Sequence, residues 1–126
     1  MMPVQEGAFA MKNRPFAARL GFALAGIRAC WRTERSFRTH AICAVLAMAA
    51  LLLIRPMPVW WALVGLATTM VLAFELVNSA FERLIDHLHP GMHPEIRLVK
   101  DMAAGGVLVI SLGALAVAAS LAATLI

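Results

Sequence analysis

Five polar residues set in the apolar stretch FELVNSAFERLID, namely Glu75, Asn78, Ser79, Glu82 and Asp86, have the types and spacing to do chemistry. The last four lie three, four, seven and eleven positions beyond Glu75, so a helix carries all five on one face. Ionisable groups at membrane depth are costly and usually face a bundle interior or a water-filled cavity, which marks the stripe as a functional site. Carboxylates and an amide are hard oxygen donors that suit Mg²⁺, an ion that takes one or two protein carboxylates and fills its other positions with phosphate oxygens and water. Deeper in the stripe, Glu75 can accept a proton from a hydroxyl held at membrane depth. Transporters use the same ingredients, because intramembrane carboxylates also carry protons or bind cations. The residues alone therefore leave open a phosphate-handling enzyme, a small proton-coupled membrane transporter and a purely structural polar seam.

Composition decides what surrounds the stripe. The chain has 126 residues, of which 62% are hydrophobic, against roughly 45–50% in soluble domains. Its mean hydropathy is +0.82. A soluble protein this small cannot bury so much apolar surface, whereas an integral membrane protein leaves it facing lipid. The net charge of +4 argues for a membrane surface and against nucleic acid, because Lys and Arg crowd near the ends of apolar segments. Phosphate-loop, dinucleotide-fold, zinc-protease and serine-hydrolase motifs are all missing. Cys30 and Cys43 have no metal-ligand spacing and read as small buried hydrophobes. His40, His87, His89 and His93 lack a tight ligand spacing and read as interfacial or loop residues.

The elements that must position the stripe follow from interruptions in the apolar pattern. Residues 1–13 read as a tail, with no cleavable signal peptide expected because Glu6 and Lys12 interrupt any apolar core. Over residues 14–35, Phe16, Leu20, Leu24, Ile27 and Trp31 recur with helical period while Arg19, Arg28, Arg32 and Arg35 intervene, predicting an amphipathic helix on the membrane surface. A first membrane helix is predicted over 37–54, ended by Arg55-Pro56-Met57-Pro58. A second runs over 59–88, opening on Trp60 and Trp61 and long enough for its polar end to reach the opposite headgroups. A third covers 95–125, where Ala103, Gly106, Gly113 and Ser120 allow close backbone approach within or between chains. The predicted architecture is thus all-α and integral to the membrane, with one surface helix and three transmembrane helices.

Orientation follows from charge. Of the 11 basic residues, Lys12, Arg14, Arg19, Arg28, Arg32, Arg35 and Arg38 precede the first span, Arg83, Arg97 and Lys100 flank the second loop, and Arg55 alone occupies the first. The N-terminal segment and the second loop are expected on the cytoplasmic side. Glu34, Glu82, Asp86, Lys100 and Asp101 then gather at one boundary, although Glu34 on its own reads equally as a solvated acid among Arg32, Arg35 and Arg38. One short chain can hardly shield five polar residues from lipid, so a homo-oligomer is expected.

Three motifs in order add specificity: E-x-x-F-R (Glu34, Phe37, Arg38), E-x-x-N-[ST]-A-x-E-x-x-x-D (Glu75, Asn78, Ser79, Ala80, Glu82, Asp86) and H-x(6)-K-D (His93, Lys100, Asp101). Together they resemble the prokaryotic diacylglycerol kinase family of small trimeric membrane enzymes, from about Arg14 to the C-terminus. The resemblance implies a trimeric helical bundle with active sites between neighbouring chains, and transfer of the γ-phosphoryl group of ATP to a membrane-lipid hydroxyl. It implies Glu75 as general base, Asn78 as a polar partner of base or substrate, and Glu34 and Glu82 as ligands of the Mg²⁺ that accompanies ATP. By the same resemblance Lys100 and Asp101 contact nucleotide, Gly91, Met92 and His93 form its loop, and Arg14 stands for an N-terminal basic residue. Phe22 falls where the family carries a tyrosine. The stretch HPEIRLVKDMAAGGVL resembles the undecaprenol kinase branch, while family breadth puts diacylglycerol first as substrate. Location in the bacterial cytoplasmic membrane, with the site facing the cytoplasm, is expected.

Overall fold

Lipid-compatible sequence folds as uninterrupted helix, because a backbone polar group in hydrocarbon has no partner but its own chain. The computed structural model describes residues 14–126; the tail expected over 1–13 lies outside the described residues. Among the described residues four α-helices follow one another, α1 (Phe16–Thr33), α2 (Arg35–Ile54), α3 (Pro58–Leu88) and α4 (Pro94–Ala123). The last three are long and apolar enough to cross a membrane, making this a multi-pass membrane protein that is all-helical over its described residues. The 20 residues of α2 rise roughly 30 Å, just the thickness of a hydrocarbon core, while the 31 of α3 and 30 of α4 rise roughly 45 Å and project beyond it.

Two compact units divide the chain, Met1–Thr33 and Glu34–Ile126. In the first, α1 exposes Phe16, Leu20, Phe22, Leu24, Ile27 and Trp31. It stops earlier than its pattern predicts. The Thr33 hydroxyl donates to the Ala29 carbonyl at 2.8 Å, and Glu34 is extended at φ −111° and ψ 111°. A hydroxyl folded back on its own helix and an extended residue after it end the run that sequence periodicity carries through residue 35.

In the second unit α3 is the central element, packing extensively on α4 and also on α2. At one end Leu51, Val64 and Leu121 form a buried cluster, with Ala47, Met48, Trp60, Trp61 and Val117 packed around it. Lipid is as apolar as these side chains, so close packing rather than escape from water holds the cluster together. The two tryptophans contribute to this packing besides standing where an aromatic belt is expected. The turn from α2 to α3 places Arg55 in the left-handed region (φ 52°), its N–H donating to the Leu51 carbonyl at 2.9 Å, before Pro58 opens α3.

Mid-span hydroxyls are satisfied locally. Thr68 donates to the Val64 carbonyl at 2.9 Å, Thr69 to that of Gly65 at 2.9 Å and Ser120 to that of Ala116 at 2.8 Å. Gly106 faces the Phe74 ring, which a Cβ there would meet at 3.8 Å, whereas Gly113 faces open space. The small-residue face of α4 therefore packs within the chain at Gly106 and not at Gly113. Neither cysteine forms a disulfide, and only Cys30 is buried; Cys43 is exposed, contrary to expectation, because α2 turns it toward a cavity among the three spanning helices.

Candidate active site

The helical period places Val64, Val71, Glu75 and Ser79 on one buried face of α3. Glu75 is only 4% exposed, a carboxylate occupying a position of the kind that valine fills a turn or two earlier. Burial then fades along the stripe: Asn78 and Glu82 are half-buried and Asp86 is exposed. Measured from Pro58, Glu75 lies roughly 26 Å and Glu82 roughly 36 Å along the axis. A hydrocarbon core of roughly 30 Å thus ends between them. The same helix face carries a dry acid and, two turns on, a wet one.

Glu75 does not stand alone. His40 of α2 brings Nδ1 to 2.6 Å from Glu75 Oε1. The approach is off the line a hydrogen bond requires, and Nδ1 is buried with no other partner. His40 also heads a cavity of about 360 Å³ among the three spanning helices, lined mainly by apolar side chains including Ala47, Val64, Val71 and Leu115. Nothing in local spacing signals this contact, since 35 positions separate the two residues.

Beyond the core edge, the end of α3, the connecting loop and the start of α4 enclose a second space of about 320 Å³. Glu82, Asp86, Gly91, Met92, His93, Arg97, Lys100 and Asp101 line it, so Asp86 of the polar stripe and six residues given a role by resemblance come together here. Lys100 Nζ donates to Asp86 Oδ1 across the two helices, and Arg97 Nε donates to Asp101 Oδ1 at 3.3 Å within α4. His93 caps α4, its Nδ1 accepting the Glu95 N–H at 3.1 Å, while His89 Nδ1 donates to the Gly91 carbonyl at 3.1 Å. The loop is thus shaped by its own histidines, a role the sequence reading did not assign. Arg97 was also missed, although its i, i+4 spacing to Asp101 is a recognisable sign.

Asn78 faces a different groove, about 450 Å³ between α3 and α4, lined by Phe74, Val77, Phe81, Val99, Met102, Ala103 and Gly106. Its Oδ1 is buried without a hydrogen-bond partner. An orphaned amide oxygen costs about 1–3 kcal/mol and calls for a donor. Glu34 sits at the N-cap of α2, yet its side chain makes no capping bond, so its carboxylate is not spent on the helix end. It does not line the charged pocket. Arg14 is exposed ahead of α1.

The donor set of the charged pocket suits a phosphate-bearing ligand with a divalent cation. Glu82, Asp86 and Asp101 offer hard oxygens, and Lys100 and Arg97 offer positive charge. Among the described residues no three His, Cys, Asp or Glu converge as a ready-made cage, and an ion that keeps phosphate oxygens in its shell needs only one or two carboxylates.

A dry carboxylate and a charged pocket thus lie along one helix of a multi-pass membrane protein. Comparison with known proteins makes this specific: residues 21–122 match the prokaryotic diacylglycerol kinase family, and the chain belongs to it. It is 31% identical over 97 residues to a diacylglycerol kinase of Synechocystis sp., covering 76% of this chain and 55% of that protein. An undecaprenol kinase of Bacillus subtilis is 33% identical over 84 residues, 67% of this chain and 68% of its own. A diacylglycerol kinase of Escherichia coli is 27% identical over 89 residues, 71% and 73% respectively. The chain therefore spans about half the length of the Synechocystis relative.

Proposed function

We propose that this protein is an ATP-dependent lipid kinase that transfers the γ-phosphoryl group of ATP to the hydroxyl of diacylglycerol, giving phosphatidic acid. The observation that carries the reading is the burial of Glu75 inside a membrane span, seven residues and roughly 10 Å of helix from Glu82 in the charged pocket. A lipid hydroxyl is confined to the membrane boundary and ATP to water, and α3 joins the two environments.

In this reading Glu75 accepts the hydroxyl proton as the lipid oxygen attacks the γ-phosphorus, and the bond to the bridging oxygen of ADP breaks. Asn78, with its unsatisfied Oδ1, holds the substrate or the base. Lys100, released from Asp86, neutralises phosphate, with Asp101, Gly91, Met92 and His93 shaping the nucleotide pocket. Glu82 and Glu34 would hold Mg²⁺, and the ion would supply charge neutralisation on the phosphates. Phosphoryl transfer depends on positioning and electrostatics more than on covalent chemistry, so this set is sufficient without a phosphate loop. Glu34 lines no part of the charged pocket within the chain, and a homotrimer in which neighbouring chains complete each site supplies what one chain does not. In the same reading the site faces the cytoplasm, which the distribution of basic residues supports.

Undecaprenol is the second acceptor to consider, favoured by the HPEIRLVKDMAAG stretch and by the similarity to the Bacillus subtilis protein. Membranes carrying the chain are expected to transfer labelled γ-phosphate from ATP to added diacylglycerol in preference to undecaprenol when the two are assayed side by side. The reverse preference replaces the acceptor. Proton-coupled uptake without any transfer to lipid replaces the enzyme with a transporter.

A further inference from the structure

We propose that His40 is the positioning residue and proton outlet of Glu75. The inference rests on the lipid-kinase reading above and deepens it. A base that is 4% exposed can take a proton from a lipid hydroxyl, but it must lose that proton before the next turnover. Burial that keeps water from Glu75 also removes the ordinary route for this loss. The one polar side-chain atom found against Glu75 Oε1 among the described contacts is His40 Nδ1, at 2.6 Å.

Three further features fit a relay. Nδ1 is buried with no hydrogen-bond partner, so Glu75 is the group it has to serve. The His40 side chain as a whole is 31% exposed, so other atoms of the same side chain reach the surface that Glu75 does not. His40 also lies six residues, roughly 9 Å of helix rise, inside the Glu34 end of α2, close to the membrane boundary. Imidazole is the side chain whose ordinary titration spans neutral pH and whose two nitrogens can receive a proton on one side and release it on the other.

The step balances as follows. The lipid O–H bond breaks, its proton goes to Glu75, its electron pair forms the bond to the γ-phosphorus, and the electrons of the broken bridging bond stay with ADP. Glu75, now a neutral acid, rotates into line and gives the proton to Nδ1 of a ring that carries its own proton on Nε2. The imidazolium then releases its Nε2 proton to water, and exchange of the remaining Nδ1 proton through water to Nε2 restores the starting tautomer before the next turnover. While Nδ1 still carries a proton, its donation to the carboxylate holds the rotamer that faces substrate.

The test uses the full-length protein in lipid vesicles. His40→Ala is expected to lower kcat by about ten- to a hundred-fold while leaving KM for ATP within about two-fold. Added imidazole is expected to restore part of the loss in proportion to its concentration, and pyrazole, of equal size but far weaker basicity, is not. Unchanged turnover in His40→Ala, or a loss that imidazole does not relieve, overturns the proposal while wild-type transfer to lipid still stands. Should His40→Ala fail to assemble, His40→Gln carries the test. A solvent deuterium effect on its kcat larger than that of the wild type supports the relay, and an equal one overturns it. Absence of phosphate transfer by the wild type overturns both the relay and the reading on which it rests.

Discussion

The two ends of the polar stripe on α3 follow opposite physical rules. Glu75 is 4% exposed, shares its buried helix face with valine and serine, and is approached by the His40 imidazole at 2.6 Å. Around Asp86 and Lys100 the charges are at least partly exposed, Lys100 pairs with Asp86 and Arg97 with Asp101, and these partners can exchange for a ligand. Electrostatic interactions are strong and geometry-bound in the first environment, weak and adaptable in the second. A proton transfer needs the former, and binding and releasing a nucleotide needs the latter.

The largest expected effect tests the dry end. Glu75→Gln preserves shape and hydrogen-bonding capacity but cannot accept a proton, so lipid phosphorylation is expected to fall about a thousand-fold or more with the assembly intact. Transfer from labelled ATP, with helix content measured alongside, checks this. Turnover near the wild-type rate would remove Glu75 from the reaction and with it the contrast between the two ends.

Next come the acids assigned to the metal. Glu82→Gln and Glu34→Gln are each expected to raise the Mg²⁺ concentration needed for half-maximal activity by at least about ten-fold. Unaltered metal dependence in both variants would leave the charged pocket without its cation. A response of Glu82→Gln alone would detach Glu34, the member of the pair that does not line the pocket.

How much of this was legible in the sequence differs between the two ends in the same way. The stripe itself follows from helical spacing, and three membrane spans follow from apolar runs broken by Arg55-Pro56 and His89-Pro90, because these signals are local. The gathering of Glu82, Lys100 and Asp101 was also anticipated, since a helix pair joined by a short loop must bring its ends together. The contact of His40 with Glu75 was not. It depends on the rotation of α2 about its own axis, which is set by packing of residues such as Leu51 far from the site. Reading the four histidines as interfacial or loop residues gave no sign that one of them meets Glu75. The early stop of α1 at Thr33 was hidden for another reason: a side-chain bond to its own backbone leaves the hydrophobic period unchanged.

Lys100→Met sharpens the wet end. Removing the charge deprives phosphate of one charge-assisted hydrogen bond, and KM for ATP is expected to rise about ten-fold with a smaller change in kcat. Substrate-saturation curves at fixed Mg²⁺ separate the two parameters. A fall in kcat with KM unmoved would shift Lys100 from binding to the transferring group itself.

The smallest effect is expected at Asp86, where the comparison is most exposed to failure. Its carboxylate is the present partner of Lys100, and a nucleotide must displace it. Exposed pairs contribute about 0–1 kcal/mol, so Asp86→Asn is expected to leave stability nearly unchanged and to lower KM for ATP by no more than about three-fold, because the competitor for Lys100 is gone. Salt provides the discriminating measurement. A Debye length of about 3 Å at 1 M screens the Lys100–Asp86 pair, so the difference between variant and wild type is expected to vanish there. The buried Glu75–His40 contact is shielded from salt, and the kcat loss of His40→Ala is expected to persist unchanged under the same conditions. If both effects faded together, Glu75 would be as wet as Asp86, and the division of the stripe into a proton-transfer end and a nucleotide end would collapse.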